Sequence, residues 1–355
     1  MVTIFNDFLL SCLYISPLTT LPQVLILTGD WRQTLPCSPD GRETIVGLCH
    51  MSSSLWHLFK IHHLNRNMRL ANCQTNNNSA ELISFDDFLK KVGDGSEGIE
   101  GSIANGKIVN LPEKIVYKGE HNLKAFGKSV FNELEQLALA AQIIFEECDI
   151  EHQRATELLE SGSLSDVAAG ARNSICTSFQ KRVDAAKPLC DYLESRAILA
   201  ATNATVAELN EAISELIHTA PMLYTASNVS ADMSDVGLKL STEDMSRLTI
   251  PGVPDHYLSI KPLMVVMIMR NLNQREGLCN GTRALVLQTL NCQLHVMIMG
   301  GRYAGKTHLI PYINFKDDRG WSFAIHRTQL PIRVGFAMTV CTYLPLSRSL
   351  LRYYS

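Results

Sequence analysis

Gly300-Gly301-Arg302-Tyr303-Ala304-Gly305-Lys306-Thr307 fits the pattern G-x-x-x-x-G-K-[ST]. A loop of that kind wraps backbone N–H groups round the phosphates of a nucleotide. Its lysine reaches the β and γ oxygens and its hydroxyl holds Mg²⁺. The chemistry needs a buried strand before the loop and a helix after it, because the helix N-terminus supplies the positive end of a dipole. Here the next residues are His308-Leu309-Ile310-Pro311-Tyr312-Ile313, which read as a strand carrying a proline. The run is therefore expected to be a glycine-rich hairpin turn with a basic tip, and a kinase built round Lys306 is the weakest reading of the chain. Gly127-Lys128-Ser129 has Asn122 where a phosphate loop needs its first glycine. No Asp-Glu dipeptide occurs, so the usual acidic partner for Mg²⁺ and the attacking water is missing. A complete machinery for nucleotide hydrolysis is not expected in these residues.

The elements that would position other polar residues follow from apolar patterning. Val24-Leu25-Ile26-Leu27 is a continuous apolar run that stops at Thr28-Gly29-Asp30, as a strand buried on both faces of a parallel sheet would. Arg196-Ala197-Ile198-Leu199-Ala200 repeats that grammar and ends in Ala201-Thr202-Asn203. A helix is expected from Thr205 to Ile217, with Asn203 as its N-cap. Carboxyl ends of such strands are where α/β proteins place ligand-contacting groups. Between Pro112 and Pro188 there is no proline. Leu134, Leu137, Ala141, Ile144 and Cys148 recur there at helical spacing, which predicts two or three amphipathic helices broken near Ser161-Gly162-Ser163. From Tyr257 onward the pattern becomes β. Met264–Met269, Ala284–Leu287, Leu294–Met299 and His308–Ile310 alternate with Asn280-Gly281, Gly300-Gly301 and Gly305, a run of hairpin signals.

Lys plus Arg number 32 and Asp plus Glu 35, a net charge of −3, so any grip on nucleic acid must be local. An apolar share of 46% excludes a mostly disordered chain. None of the ten cysteines forms a Cys-x-x-Cys pair or a cluster with zinc spacing, so they read as reduced thiols and no metal ligand set is expected. Residues 8–27 are apolar but lack a basic lead and contain Pro17 and Pro22, which argues against a leader or membrane span.

Four segments together resemble one family, the petite-integration-frequency (Pif-type) DNA helicases, most closely the helicase of Helitron transposons. Gly29-Asp30-Trp31-Arg32-Gln33-Thr34-Leu35-Pro36 is similar to the family's third helicase motif, with Trp31 in place of the usual Phe. Leu64-Asn65-Arg66-Asn67-Met68-Arg69-Leu70 is similar to its Asn-Met-Arg motif. Arg196–Asn203, continuing to Asn210, resembles the opening of the second RecA-like domain, with Ala201 where the family usually has Pro. Met264–Asn273 with Gly277–Arg283 resembles the strand and Asn-Gly hairpin of the small 2B domain, and places the Gly301–Lys306 run in a hairpin there.

The resemblance implies a partial RecA-like α/β helicase core with a helical insertion and a small β-barrel-like 2B domain. It divides the chain into 1–112, the later part of the first RecA-like domain; 113–187, the insertion; 188–256, the start of the second RecA-like domain; 257–330, the 2B domain; and 331–355, a return to the second RecA-like domain. It implies ATP-dependent 5′-to-3′ unwinding in repair, recombination, telomere maintenance or transposon replication, in the nucleus or mitochondrion. ATP and Mg²⁺ would be its cofactors, single-stranded or forked DNA its partner, and no membrane would be involved. Gln33 would sense the γ-phosphate and Arg69 would reach the transferring phosphate, with Gly29 and Asp30 beside them in the nucleotide cleft. Thr202, Asn203, Asn280, Thr282 and Arg283 would touch DNA. The family's phosphate loop and Asp-Glu motif would lie ahead of Gly29, and Val340-Cys341-Thr342-Tyr343-Leu344-Pro345 departs from its fifth motif. The chain is therefore expected to be an incomplete copy, inactive alone. The alternative is a non-enzymatic remnant that binds single-stranded DNA weakly.

Overall fold

The computed structural model describes residues 56–62, 79–93, 116–120, 122–161, 165–200, 202–231, 242–248, 252–317 and 324–339, with shorter pieces at 96, 99–100, 107–108, 111–112 and 250. The expected strand at Val24–Leu27, with Gly29, Asp30, Gln33 and Arg69, lies outside the described residues. The chain divides into two compact units, 1–116 and 117–355.

In the first unit a single 3₁₀ turn, Trp56–Leu58, precedes helix α1, Ser79–Gly93. Lys90 pairs with Asp86 at 2.6 Å one turn back on that helix. Strands β1, Ile99–Glu100, and β2, Lys107–Ile108, form a short antiparallel pair.

The second unit opens with α2, Leu123–Val130, capped by Asn122, whose Oδ1 accepts from Ala125 N. Gly127, with Lys128 and Ser129 after it, lies inside this helix. Its missing side chain lets Ile213 approach closely. Two long helices follow, α3 (Leu134–Glu160) and α4 (Ser165–Glu194), one ending and the other beginning around the expected Ser161-Gly162-Ser163 break. The buried row of α3 is Leu134, Ala138, Ala141, Phe145, Cys148 and Ala155, whereas Ile144, expected inside, is 37% exposed. Helix α4 does not stop at Pro188 but runs through it to Glu194. Pro188 faces solvent, where water can take up the carbonyl freed by its missing N–H, while Leu189, Cys190 and Leu193 hold the last turns in the core.

Strand β3, Ile198–Ala200, leads into α5, Asn203–Ser214. This helix starts two residues earlier than the sequence suggests, because its cap is Thr202 and Asn203 is its first residue. Strands β4, Met222–Thr225, and β5, Ser227–Ala231, come next, then the short helix α6, Thr242–Arg247. After them come β6 (Tyr257–Ile260), β7 (Val265–Ile268), β8 (Arg283–Leu290), β9 (Gln293–Ile298), β10 (Thr307–Pro311), β11 (Ile313–Asp317), β12 (Ala324–Gln329), β13 (Ile332–Val334) and β14 (Ala337–Thr339).

The β region is built round an open antiparallel sheet in the order β10-β9-β8-β7-β13, whose edges are β10 and β13. Beside it lie a three-stranded sheet, β11-β12-β5, and the pair β4-β6. Strands β3 and β14 pair in parallel, Ala337 opposite Ile198 and Thr339 opposite Ala200. Val265, Val266, Ile268, Leu285, Val286, Leu287, Leu294 and Val296 are all fully buried. Strands buried on both faces explain the unbroken apolar runs of β7 and β8.

Candidate nucleic-acid interface

Two places gather the polar residues singled out by the sequence. The first is the carboxyl end of β3. Thr202 has extended backbone angles and its Oγ1 accepts from Thr205 N at 3.2 Å, which satisfies an orphan donor of the first turn of α5. Asn203 follows it, exposed. Asn210, two turns on and 8% exposed, fixes the helix to the neighbouring strand: its Nδ2 donates to Ala337 O at 3.1 Å and its Oδ1 accepts from Ala337 N at 2.8 Å. A polar side chain at a buried helix position was the one signal for that staple.

The second is the end of the five-stranded sheet where residues 269–282 join β7 to β8 and residues 299–306 join β9 to β10. Asn280-Gly281 does make a tight turn, with Gly281 at φ +88 and Thr282 N bonded to Cys279 O at 3.0 Å. It closes only the last part of the loop. Before it a 3₁₀ turn, Gln274–Glu276, ends on Gly277 at φ +87, and Asn273 bridges to Leu278. The two-residue hairpin of this sheet is at Asn291-Cys292, between β8 and β9. Asn280 is exposed, and its N–H donates to Asn271 Oδ1 at 2.8 Å. Thr282 Oγ1 donates to Gly277 O at 2.9 Å and so serves the loop itself.

Arg283 is placed inside the fold. It is 7% exposed, and its guanidinium donates to Gly335 O at 3.2 Å, Leu193 O at 3.3 Å and Arg196 O at 2.8 Å. Its charge thus ties β8 to the end of α4 and to the segment entering β14, and is turned away from any external ligand.

The Gly300–Thr307 run forms a 3₁₀ turn, Gly301–Tyr303, and then enters β10 at Thr307. Gly305 N donates to Ile298 O at 2.8 Å and Ile298 N to Lys306 O at 2.9 Å, so the run is a hairpin connection. A strand beginning at Thr307 presents no row of free N–H groups to a phosphate chain, and the geometry does not fit a nucleotide at Lys306. What the run does present is an aromatic ring between two cations. Arg302 Cζ lies 5.8 Å and Lys306 Nζ 5.3 Å from the centre of the Tyr303 ring. Both cations are exposed and the ring is half-buried against Gly277, where a Cβ would come within 2.6 Å of it. Arg275 stands exposed on the facing loop, and Arg270 lies over the Phe315 ring at 4.9 Å. The acidic groups nearby are Glu276, 3.9 Å from His308 Nδ1, and Glu194, whose carboxylate lies against Gly300.

This loop pole can do two things chemically. Its cations can neutralise phosphates, and the Tyr303 edge can pack against a base. Sequence reading missed Tyr303 and Arg275. The signal was there, since a glycine-rich hairpin with a basic tip was foreseen and the ring sits between its charges.

Among the described residues no group of His, Cys, Asp and Glu is arranged to hold a metal ion, and no helix is long and apolar enough to cross a membrane.

Two stretches match known family models. Residues 22–101, which take in Gly29, Asp30, Gln33 and Arg69, match PIF1-like helicase. Residues 243–289, which take in Asn280, Thr282 and Arg283, match the 2B domain of DNA helicase Pif1. No curated protein matches the chain. Solved structures similar to it include unliganded Pif1 from Bacteroides sp (15% identity, 44% of this chain and 45% of that one, TM-score 0.31). Pif1 helicase from Candida albicans (15%, 54% and 45%, 0.32) and Bacteroides Pif1 bound to single-stranded DNA (15%, 46% and 36%, 0.31) are similar to the same degree. The chain spans less than half the length of each of these helicases.

Proposed function

We propose that this chain, which resembles the PIF1-like helicases over residues 22–101 and their 2B domain over residues 243–289, is part of an ATP-dependent DNA helicase of 5′-to-3′ polarity. Its loop pole at residues 269–282 and 299–306 meets single-stranded DNA. The observation that carries the reading is that the 2B-domain match takes in the whole 269–282 loop, which faces the Arg302–Tyr303–Lys306 tip. Thr202 and Asn203 lie at the carboxyl end of a parallel strand, the usual ligand end of such sheets, and form a second contact point. Asn280 joins the pole through its exposed side chain. Gln33 and Arg69 act in the nucleotide cleft, with ATP and Mg²⁺ bound there beside Gly29 and Asp30. Forked DNA is the substrate, and the work is nuclear or mitochondrial, in repair, recombination, telomere maintenance or transposon replication.

The 355 residues alone do not hydrolyse ATP on this reading, because the lysine of the one G-x-x-x-x-G-K-T run stands on a hairpin. Titration of a labelled oligothymidine by the purified chain tests the DNA contact. Double substitution Arg302→Ala and Lys306→Ala should weaken binding about tenfold at low salt and lower the salt slope by about 1.4, two phosphates' worth for a single strand. Unchanged affinity and slope would remove the pole from the interface. A non-enzymatic remnant would show the same binding with no ATPase even after the phosphate-loop segment of a related helicase is restored. DNA-stimulated ATPase of the present chain, abolished by Lys306→Ala, would overturn the assignment of that loop.

A further inference from the structure

The interior of this protein treats its arginines by one rule. Arg182, 4% exposed, pairs with Asp149 and donates to Leu287 O at 3.3 Å and Phe145 O at 3.4 Å. Arg283 has its three carbonyls. Arg327, 1% exposed, donates to Asn228 Oδ1, Pro254 O, Met245 O and Leu248 O, all between 2.8 and 3.1 Å. Each guanidinium withdrawn from water is given acceptors, as the cost of burying an unpaired charge demands.

Arg333 breaks the rule. It lies on β13, partly buried, and its side chain has no hydrogen-bond or ion-pair partner among the described residues. Burial pulls its guanidinium below the ordinary arginine value, and no neighbouring charge counters that pull. The register shows where it stands. Arg333 is opposite Met267, and Met267 is in turn opposite Arg283. Residues directly opposite share a sheet face, so the two arginines lie on one face with Met267 between them. The fork of Arg283 is already occupied, and Arg333 has no acid on that row. Strand β13 is also an edge of the sheet, and Pro331 just before it accepts from Met269 N at the start of the 269–282 loop. Arg333 therefore flanks the loop pole on the side away from Arg302 and Lys306.

A fold gains nothing from a half-desolvated cation without an acceptor. Side chains kept in such a state cluster at sites that meet a ligand. We propose that Arg333 is a phosphate-binding residue, its planar fork taking a backbone phosphodiester of the strand held at the loop pole and extending that track across the β13 edge. The inference rests on the single-stranded DNA reading above.

The test uses the full chain with Arg333→Met, which keeps the bulk of the side chain and removes its charge. Resistance to urea should stay unchanged or rise, because an unpaired buried charge has gone. Affinity for a labelled oligothymidine should fall about fivefold at low salt, and the salt slope should drop by about 0.7. Arg333→Lys should restore the slope but only part of the affinity, since a lysine cannot grip two phosphate oxygens in a plane. Unchanged affinity and slope in Arg333→Met would overturn the proposal, as would a clear loss of stability, which would place its partner within the chain. Binding that responds to Arg302 and Lys306 but not to Arg333 would sink this inference alone. No binding by the unsubstituted chain would sink the DNA reading and this residue with it.

Discussion

The arginines of the interior and those of the loop pole carry the same guanidinium in different company. Arg327 has four acceptors within 3.1 Å and almost no exposure, so its charge is neutralised by carbonyl dipoles that would otherwise be orphans themselves. Arg302 stands in water beside an aromatic ring and neutralises nothing inside the chain. The contrast shows why a net charge of −3 says little about binding. Several of the 32 basic residues are consumed as internal glue, while a handful at one end of one sheet make a local positive field.

The comparison breaks most visibly at Arg327. Arg327→Met leaves Asn228 and three carbonyls without their donor, and should cost roughly 3 kcal/mol or more in urea denaturation. Arg302→Ala, measured the same way, should fall within about 0.5 kcal/mol. Equal losses at the two sites would erase the distinction.

A smaller effect is expected where the pole is supported. Gly277 has φ +87, and its missing side chain makes room for Tyr303. Gly277→Val imposes backbone strain and displaces the ring, at a cost of about 2 kcal/mol. Because the two cations at the tip flank that ring, DNA affinity should fall along with stability, which Arg302→Ala separates. A Gly277→Val protein of full affinity would show that Tyr303 takes no part.

The smallest expected effect is a titration. His295 stacks on Phe179 at 4.3 Å between ring centres, and burial, then the charges of Arg182 and His308, hold its imidazole below the ordinary value. A histidine whose folded-state value is lowered stays neutral in the native protein while the unfolded chain takes up a proton. Stability is therefore present above about pH 6.5 and is lost as the pH falls through that value. His295→Phe should flatten the slope of unfolding free energy below about pH 6.5, leaving the part due to His256, which burial also lowers. An unchanged slope would mean that His295 charges freely in the folded state.

Much of the β region was legible because its cues are local. Continuous apolar runs gave β7, β8 and β9 to within a few residues, and the proline after Gly305-Lys306-Thr307 correctly denied a helix there. The helices were legible by period but not by boundary. Thr202 and Asn203 are both good caps, and only the pairing of β3 with β14 decides where the strand stops and the cap begins. Arg283 was misplaced for a physical reason. Directly after an Asn-Gly turn it looks exposed, and the carbonyls that claim it come from residues 193, 196 and 335, far away in the chain. The candidate nucleotide residues Gln33 and Arg69 remain a matter of motif and family likeness.

The parallel pairing of β3 with β14 has a consequence for time. Everything from α5 to β13 lies in the chain between these two adjacent strands, whereas β7, β8 and β9 each pair with the next in sequence. Closing a long loop costs more entropy than closing a short one, and non-local contacts are reached later. The meander can zip up while β3 still waits for its neighbour. The carboxyl end of β3, and the Thr202 cap with it, is among the last parts of this unit to take shape as a newly made chain folds.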